Sequence, residues 1–305
     1  MKKNKKNSFF RKFILKPKQK LTKKEFLQVS IFTFFKIVSF SVVIVLFLIL
    51  GFIIIRGLGV INWEFISSMP KEGMTEGGIL PAIVGTICLA AGSMIFAFPF
   101  GVLSAIYLNE FLKDNWLKRF LRSMTDNLAG IPSIVFGLFG MVFFVNTLNF
   151  GDSIIAGSLT LGIMALPVII RTSEEALKSV DDSLRHGSYA LGATKLQTIK
   201  KVVLPVAFPN IITGFILSLG RVSGETAPIL FTVAAYFLPK LPSGIFDQVM
   251  ALPYHLYVLS TSGTEIEKSR PMAYGTALVL IFIVLFVNLI ASAIRKYYFR
   301  KYKIR

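Results

Sequence analysis

Cysteine and histidine are nearly missing from this chain: one cysteine, Cys88, and two histidines, His186 and His255, in 305 residues. A single cysteine excludes an internal disulfide framework and any cysteine metal cluster. Two histidines 69 residues apart are too few for a histidine-based metal centre. Charge is scarce too. Only 16% of residues are charged, against about 25% in a soluble domain, so much of the surface does not face water. Acid is scarcer than base: 16 Asp+Glu against 34 Lys+Arg leave a net charge of +18. Such an excess can signal nucleic acid, but here long apolar runs separate the basic residues. No Gly-Lys dipeptide occurs, which excludes the phosphate-cradling loop of a P-loop ATPase. What is abundant is apolar: 54% of residues are hydrophobic and the mean hydropathy is +0.67. The composition is that of an all-α, polytopic membrane protein.

A membrane helix needs about 20 apolar residues, because the hydrocarbon core is about 30 Å thick and a helix rises about 1.5 Å per residue. Six runs qualify. They are 37–55, 83–108, the stretch enclosed by Asp126 and Asp152, 152–171, 209–237 (interrupted only by Arg221 and Glu225) and 273–294. Basic residues mark the cytoplasmic side. Residues 1–30 hold eleven Lys/Arg, 109–124 four, 171–205 six and 295–305 six, whereas the alternate segments 57–78, 147–153 and 238–272 hold four in all. Both termini are therefore expected in the cytoplasm. The resulting organisation is a basic leader (1–30), a first span (31–56), an outer loop (57–78), a core with five further spans (79–296) and a basic tail (297–305). The leader is charged, has no small-residue cleavage site, and is expected to be retained as a lipid-headgroup-bound tail. Gly157, Gly162, Ala165, Gly220 and Gly224 are small residues at spacings that permit close helix contact. Pro99, Pro132, Pro167 and Pro228 are expected to bend or interrupt helices. Cys88 lies in an uncharged span without the electropositive setting that activates a thiol.

Two features are not generic. The first is an elbow at about 173–205. Residues 181–191 predict a short helix with a small-residue side at Gly187, Ser188 and Ala190, and Gly192 is a C-terminal stop. Thr194 and Gln197 form a capping box for a second helix, in which Leu196, Ile199 and Val203 share one face and Lys195, Lys200 and Lys201 the other. Leu204-Pro205 leads back into the membrane. An amphipathic connector lying on lipid fits the same pattern.

The second is Arg221 with Glu225. Counted from Pro209, Arg221 lies about 18 Å along a helix, near the bilayer centre, with Glu225 one turn later on the same face. An arginine at that depth costs about 3 kcal/mol even on the lenient insertion scale. It must face protein or a water-filled path. Structural pairing accounts for it, and so does passage of an anion: Glu225 keeps the guanidinium charged but partly neutralises it, so attraction suits transit rather than storage. Arg171 and Glu174, one turn apart at the end of the fourth span, form either an interfacial ion pair or the inner end of the same path.

The surrounding residues resemble known families. Ala190-Leu191-Gly192-Ala193-Thr194 and Leu204-Pro205 are similar to the cytoplasmic loop of ABC importer permeases, with His186-Gly187-Ser188 standing where that family has Glu-Ala-Ala. Residues 220–228 (Gly-Arg-Val-Ser-Gly-Glu-Thr-Ala-Pro) closely resemble the signature of the PstA family of phosphate permeases. So do Pro81-Ala82-Ile83-Val84-Gly85-Thr86, residues 130–137 (Gly-Ile-Pro-Ser-Ile-Val-Phe-Gly), Arg171-Thr172-Ser173-Glu174-Glu175-Ala176 and Ala251-Leu252-Pro253-Tyr254-His255. The resemblance covers about 75–295.

It implies a type I ABC importer permease fold with six spans, and transport of inorganic phosphate across a bacterial cytoplasmic membrane. It implies a PstC-like second permease, two PstB-like ATPase subunits on the elbows and a PstS-like phosphate-binding protein outside. It places Arg221, Glu225, Arg171 and Glu174 on the substrate path and Ala190, Leu191, Gly192, Ala193, Thr194, Leu204 and Pro205 in the ATPase-coupling elbow. Residues 239–272 become the binding-protein platform, where His255 either meets a partner or is simply packed. No metal, no cofactor and no catalytic residue is expected in the chain itself, ATP being bound by the partner subunits. Three rivals remain open: a permease for another oxyanion (phosphonate or sulfate), an ion-coupled secondary transporter using Glu225, and a membrane hydrolase using His255 or Glu225.

Overall fold

The computed structural model describes residues 23–261 and 266–301. Most of the basic leader, residues 262–265 of the segment expected to be the platform and the last four residues of the tail lie outside the described residues. The chain divides at Phe52 into two units. In the first, helix α1 (Lys23–Leu58) begins, and every described side chain from Leu27 to Ile49 is exposed, most of them Phe, Val, Ile or Leu. A helix that is apolar all round suits lipid and not water.

The second unit contains the end of α1 and the rest of the chain. Helix α2 (Trp63–Ser67) starts where the side-chain Oδ1 of Asn62 accepts the Phe65 N–H at 2.7 Å. A minimal antiparallel hairpin pairs β1 (Pro70–Lys71) with β2 (Glu76–Gly77), Pro70 opposite Gly77. Then come α3 (Leu80–Ile106, continued by a wide turn to Phe111), α4 (Trp116–Ala129), α5 (Ser133–Gly140, extended by a wide turn to Thr147) and α6 (Ile154–Lys178). They are followed by α7 (Asp182–Ala190), α8 (Lys195–Thr198), α9 (Leu204–Gly224), α10 (Ala227–Leu230), α11 (Leu252–Thr261) and α12 (Ile266–Lys301). Among the described residues, five helices are long and apolar enough to cross a membrane, and the pair α4–α5 makes a sixth if it is one bent span.

Two span boundaries differ from the sequence expectation. The third run does not rise from Asp126. Residues 116–129 form an amphipathic helix bent 99° from the helix that follows, and the break falls at Gly130-Ile131-Pro132, where proline excludes the preceding residue from helix. The fifth run does not reach Phe237. Helix α9 stops at Gly224 and Glu225 is extended. From there the chain is irregular to Leu252 apart from the single turn of α10. Pro99 and Pro167, by contrast, sit inside continuous helices.

The core is built from α3, α6 and α9, through Leu89, Met94 and Ala97, Leu161, Met164 and Ile169, and Leu219 and Val222. Glycines let these elements approach. A Cβ on Gly162 would lie 2.7 Å from the Phe96 ring, and one on Gly157 2.6 Å from Val233. Gly224 faces open space and makes no such contact. Cys88 is half-buried against the same core.

The irregular segment 225–251 is held from several sides. The Ser153 N–H donates to the Thr232 carbonyl at 3.0 Å, Ile154 N–H to Asp247 at 2.9 Å and Ala235 N–H to Val249 at 3.0 Å. Gly85 permits the closest approach, since a Cβ there would strike the Met250 carbonyl and lie 2.9 Å from Val249 Cβ. We expect Gly85→Ala to cost about 1–3 kcal/mol, read as a lowered thermal unfolding midpoint in detergent. Gly51→Ala, whose added Cβ meets nothing within 4 Å, should leave that midpoint unchanged.

Candidate functional site

The stretches singled out in the sequence meet in pairs. Gly137 packs on the segment after α9, where a Cβ would lie 2.9 Å from the Ala227 carbonyl and 3.0 Å from Pro228 Cα. Thr86, one residue after Gly85, accepts the Leu252 N–H on its hydroxyl at 2.8 Å while donating to the Ala82 carbonyl. Residues 81–86 thus clasp 250–253, and 130–137 clasp 220–228.

Arg221 lies in the last turn of α9 and Glu225 caps its end. The Arg221 Nε donates to Glu225 Oε1 at a long 3.4 Å. The guanidinium is exposed and the carboxylate half-buried, in a narrow cleft with Thr86, Leu89, Leu161, Val222 and Ile229. Leu161 is seven residues from the start of α6, about 10 Å of helix. The pair therefore lies about two turns in from the end of the bundle opposite the elbow, not midway along a helix running to Phe237. The helix stops here, and the guanidinium stands beside backbone that is no longer helical.

Arg171 and Glu174 are not partners. Glu174 is buried, 2% exposed at its side chain, and its Oε1 accepts from Arg122 Nε at 2.7 Å and from Lys178 Nζ at 3.1 Å. Arg171 is half-exposed and reaches Asp126 at 3.6 Å and Glu175 at 3.4 Å. Three residues along a helix bring two side chains near one another, but α4 packs against α6 here and supplies better-placed partners to both. Lys178 was readable from its i,i+4 spacing. Arg122, 52 residues away, had no local signal.

The elbow has the helix–glycine–helix form. Asp181 caps α7, and the Ser183 N–H it accepts holds its carboxyl below the usual range. Gly192 has φ +78°, a left-handed conformation that side chains resist. Its N–H donates to the Tyr189 carbonyl at 2.9 Å. Thr194 and Gln197 form the reciprocal capping box, and the chain passes through a wide turn (Ile199–Val203) into α9, with Leu204 and Pro205 opening that helix. Ile199 and Val203 are buried, whereas Leu196 is 66% exposed. Leu196 therefore leaves the buried face expected for it and is exposed, as are Leu184, Tyr189 and Leu191 in the elbow, the last 90% exposed. Ala190 and Ala193 flank that turn, and His186 and Gly187 are exposed.

The stretch that holds both the clasped segments after α9 and the glycine-stopped elbow is matched by a family model described as "Binding-protein-dependent transport system inner membrane component", over residues 97–304. The chain belongs to this family. It is 35% identical to "Probable ABC transporter permease protein YqgI" of Bacillus subtilis (strain 168), over 79% of this chain and 85% of that one. It is 40% identical to "Phosphate transport system permease protein PstA" of Mycobacterium leprae (strain TN), over 74% and 73%. In fold it is similar to a permease of a bacterial ABC transporter involved in the import of the polysaccharide alginate, with a TM-score of 0.59 at 16% identity, over 89% of this chain and 99% of that one. A MetNI methionine transporter chain gives 0.56 at 19%, over 72% and 94%. The permease is a multi-pass membrane protein with a type I ABC importer permease fold.

In the cluster around α11, His255 is packed, not presented. It is 2% exposed among Leu252, Val258, Leu259 and Met272. The Thr276 hydroxyl donates to the Met272 carbonyl, so His255 Nδ1–H donates to Thr276 Oγ1 at 3.3 Å and Nε2 has no partner. Burial pushes its pKa down from 6.5 to about 4. An imidazole held neutral contributes stability that is present above the unfolded value and lost as pH falls from about 6.5 toward about 4. We expect the detergent-solubilised permease to lose unfolding midpoint across that window more steeply than His255→Gln. Equal slopes would take His255 out of the pH response.

Proposed function

We propose that the permease is the PstA-type subunit of an ATP-driven importer of inorganic phosphate in a bacterial cytoplasmic membrane. The observation that carries this reading is the exposed Arg221 guanidinium, tied loosely to Glu225 where α9 ends, within the stretch that resembles phosphate permeases. A guanidinium offers an oxyanion paired N–H donors. Glu225, at 3.4 Å, competes for those donors and keeps the attraction moderate. Arg171, half-exposed near the elbow end and only weakly engaged, is the next cation along the path. Glu174 serves the path indirectly, by holding Arg122 and Lys178 and fixing α4 against α6.

The elbow side faces the cytoplasm with both termini, as the basic flanks require. The exposed apolar side chains Leu184, Tyr189, Leu191 and Leu196 are the elbow's contribution to docking on a PstB-like ATPase. Two such ATPase subunits bind ATP, so this chain needs no cofactor and is not itself an enzyme. A PstC-like permease completes the pathway. A PstS-like phosphate-binding protein docks on the outer segment 239–272, where Leu241, Ile245, Phe246 and Tyr257 are exposed. A permease for sulfate or phosphonate is the second reading, because guanidinium chemistry does not separate tetrahedral oxyanions and the Bacillus relative is named only as an ABC permease.

In proteoliposomes holding the assembled importer, ATP should drive uptake of labelled phosphate that excess sulfate does not suppress. Uptake that survives without ATP and stops with a protonophore would replace this reading with a secondary transporter. Arg221→Gln is expected to lower uptake at least about tenfold, worth about 1.4 kcal/mol, with assembly intact. Wild-type uptake in that variant removes Arg221 from the path. Gly192→Val forces a β-branched residue into a left-handed turn at about 1–2 kcal/mol. It should leave ATP hydrolysis while abolishing uptake, and unchanged uptake would make the elbow an ordinary connector.

A further inference from the structure

Helix α7 projects with no buried residue of its own, so what joins it to the membrane helices must be specific. Among the described residues, two side chains of α7 bond to other elements. One is Ser188, whose hydroxyl meets that of Thr198 at 2.8 Å. The other is Arg185. Its Nη1 donates to the Val180 carbonyl at 2.7 Å and to Asp182 Oδ1 at 3.0 Å, and its Nη2 donates to the Leu177 carbonyl at 2.9 Å and to Glu110 Oε1 at 2.9 Å. Leu177 lies in the last turn of α6, Val180 in the turn that follows, and Glu110 in the extension of α3. The two charged side chains are 13% and 7% exposed, and Asn109 Nδ2 supplies Glu110 Oε1 with a second donor at 2.9 Å.

We infer that Arg185 is the positioning residue through which the elbow moves the membrane helices, with Glu110 as its anchor on α3. The guanidinium is a rigid planar fork, and both of its terminal nitrogens are committed. A tilt of α7 must carry the ends of α3 and α6 with it or break a shielded ion pair, which is far costlier than breaking one in water. Lys195 adds a softer contact, its Nζ lying 5.0 Å from the Phe111 ring centre. The inference rests on the reading that the elbow docks on an ATPase.

The test is the phosphate imported per ATP hydrolysed by the complete importer in proteoliposomes, compared for wild type, Glu110→Gln, Arg185→Lys and the two combined. Both substitutions are mild enough to preserve the fold. Each should lower uptake per ATP at least about threefold while the ATPase co-purifies at wild-type stoichiometry and hydrolyses at the wild-type rate. The combined variant should be no worse than the poorer single, as expected for one shared interaction. Wild-type ratios in both singles, losses that multiply, or losses matched by dissociation of the ATPase would each overturn the inference. A wild-type chain that hydrolyses ATP with no partner defeats the importer reading, and the inference with it. A working wild type with unaltered variants defeats the inference alone.

Discussion

A helix that stops inside a bundle leaves carbonyls and N–H groups that lipid cannot satisfy, so the chain beyond its end must be wrapped in protein. Helix α9 stops in this way at Gly224. The segment that follows is buried through Thr232, Val233, Val249, Met250 and Ala251. Its backbone is bonded to the start of α6 and to itself, and Thr86 reaches across from α3 to meet Leu252. Gly85, Gly137, Gly140 and Gly157 are places where another helix gives up its side chain to let this segment in. The exposed Arg221 exists as a usable cation because of the same arrangement. A continuous helix would bury the residue or turn it to lipid, whereas a helix end held by its neighbours presents it beside a cleft.

At the opposite end of the bundle the forces are ionic. Arg122 and Lys178 close on the buried Glu174, Arg171 bridges loosely to Asp126, and Arg185 holds Glu110. Each of these joins α4, α6, α7 or the tip of α3 to a neighbour, so the elbow end is cross-braced, while Leu184, Tyr189, Leu191 and Leu196 of the elbow stay exposed. That division suits the proposed role, in which the elbow binds an ATPase on one side and passes its movement on at the other.

Much of this was legible beforehand because it is local. Spans follow from uninterrupted apolar runs, and the elbow from the Gly192 stop and the Thr194–Gln197 box, signals contained within a few residues. The two misplaced span ends share a cause. The charge at Asp126 and the apolar run through Phe237 suggest the boundaries, but Pro132 and the Gly224-to-Pro228 stretch carry the real breaks. The stripe Trp116, Phe120, Met124 and Leu128, spaced four apart, marked α4 as an amphipathic helix of its own. What no local pattern contains is who pairs with whom across the bundle. Glu174 with Arg122, Glu110 with Arg185 and Gly137 with Ala227 depend on helix packing, which the sequence encodes only collectively.

The central claim is that this chain is one permease in a larger ATP-driven assembly, and the composition of that assembly tests it most directly. A tagged chain purified in mild detergent, with the mass of every stoichiometric partner determined, should carry one copy of a different permease and two copies of an ATPase subunit. A chain recovered alone, or only with copies of itself and with no ATPase in any detergent, would contradict the account.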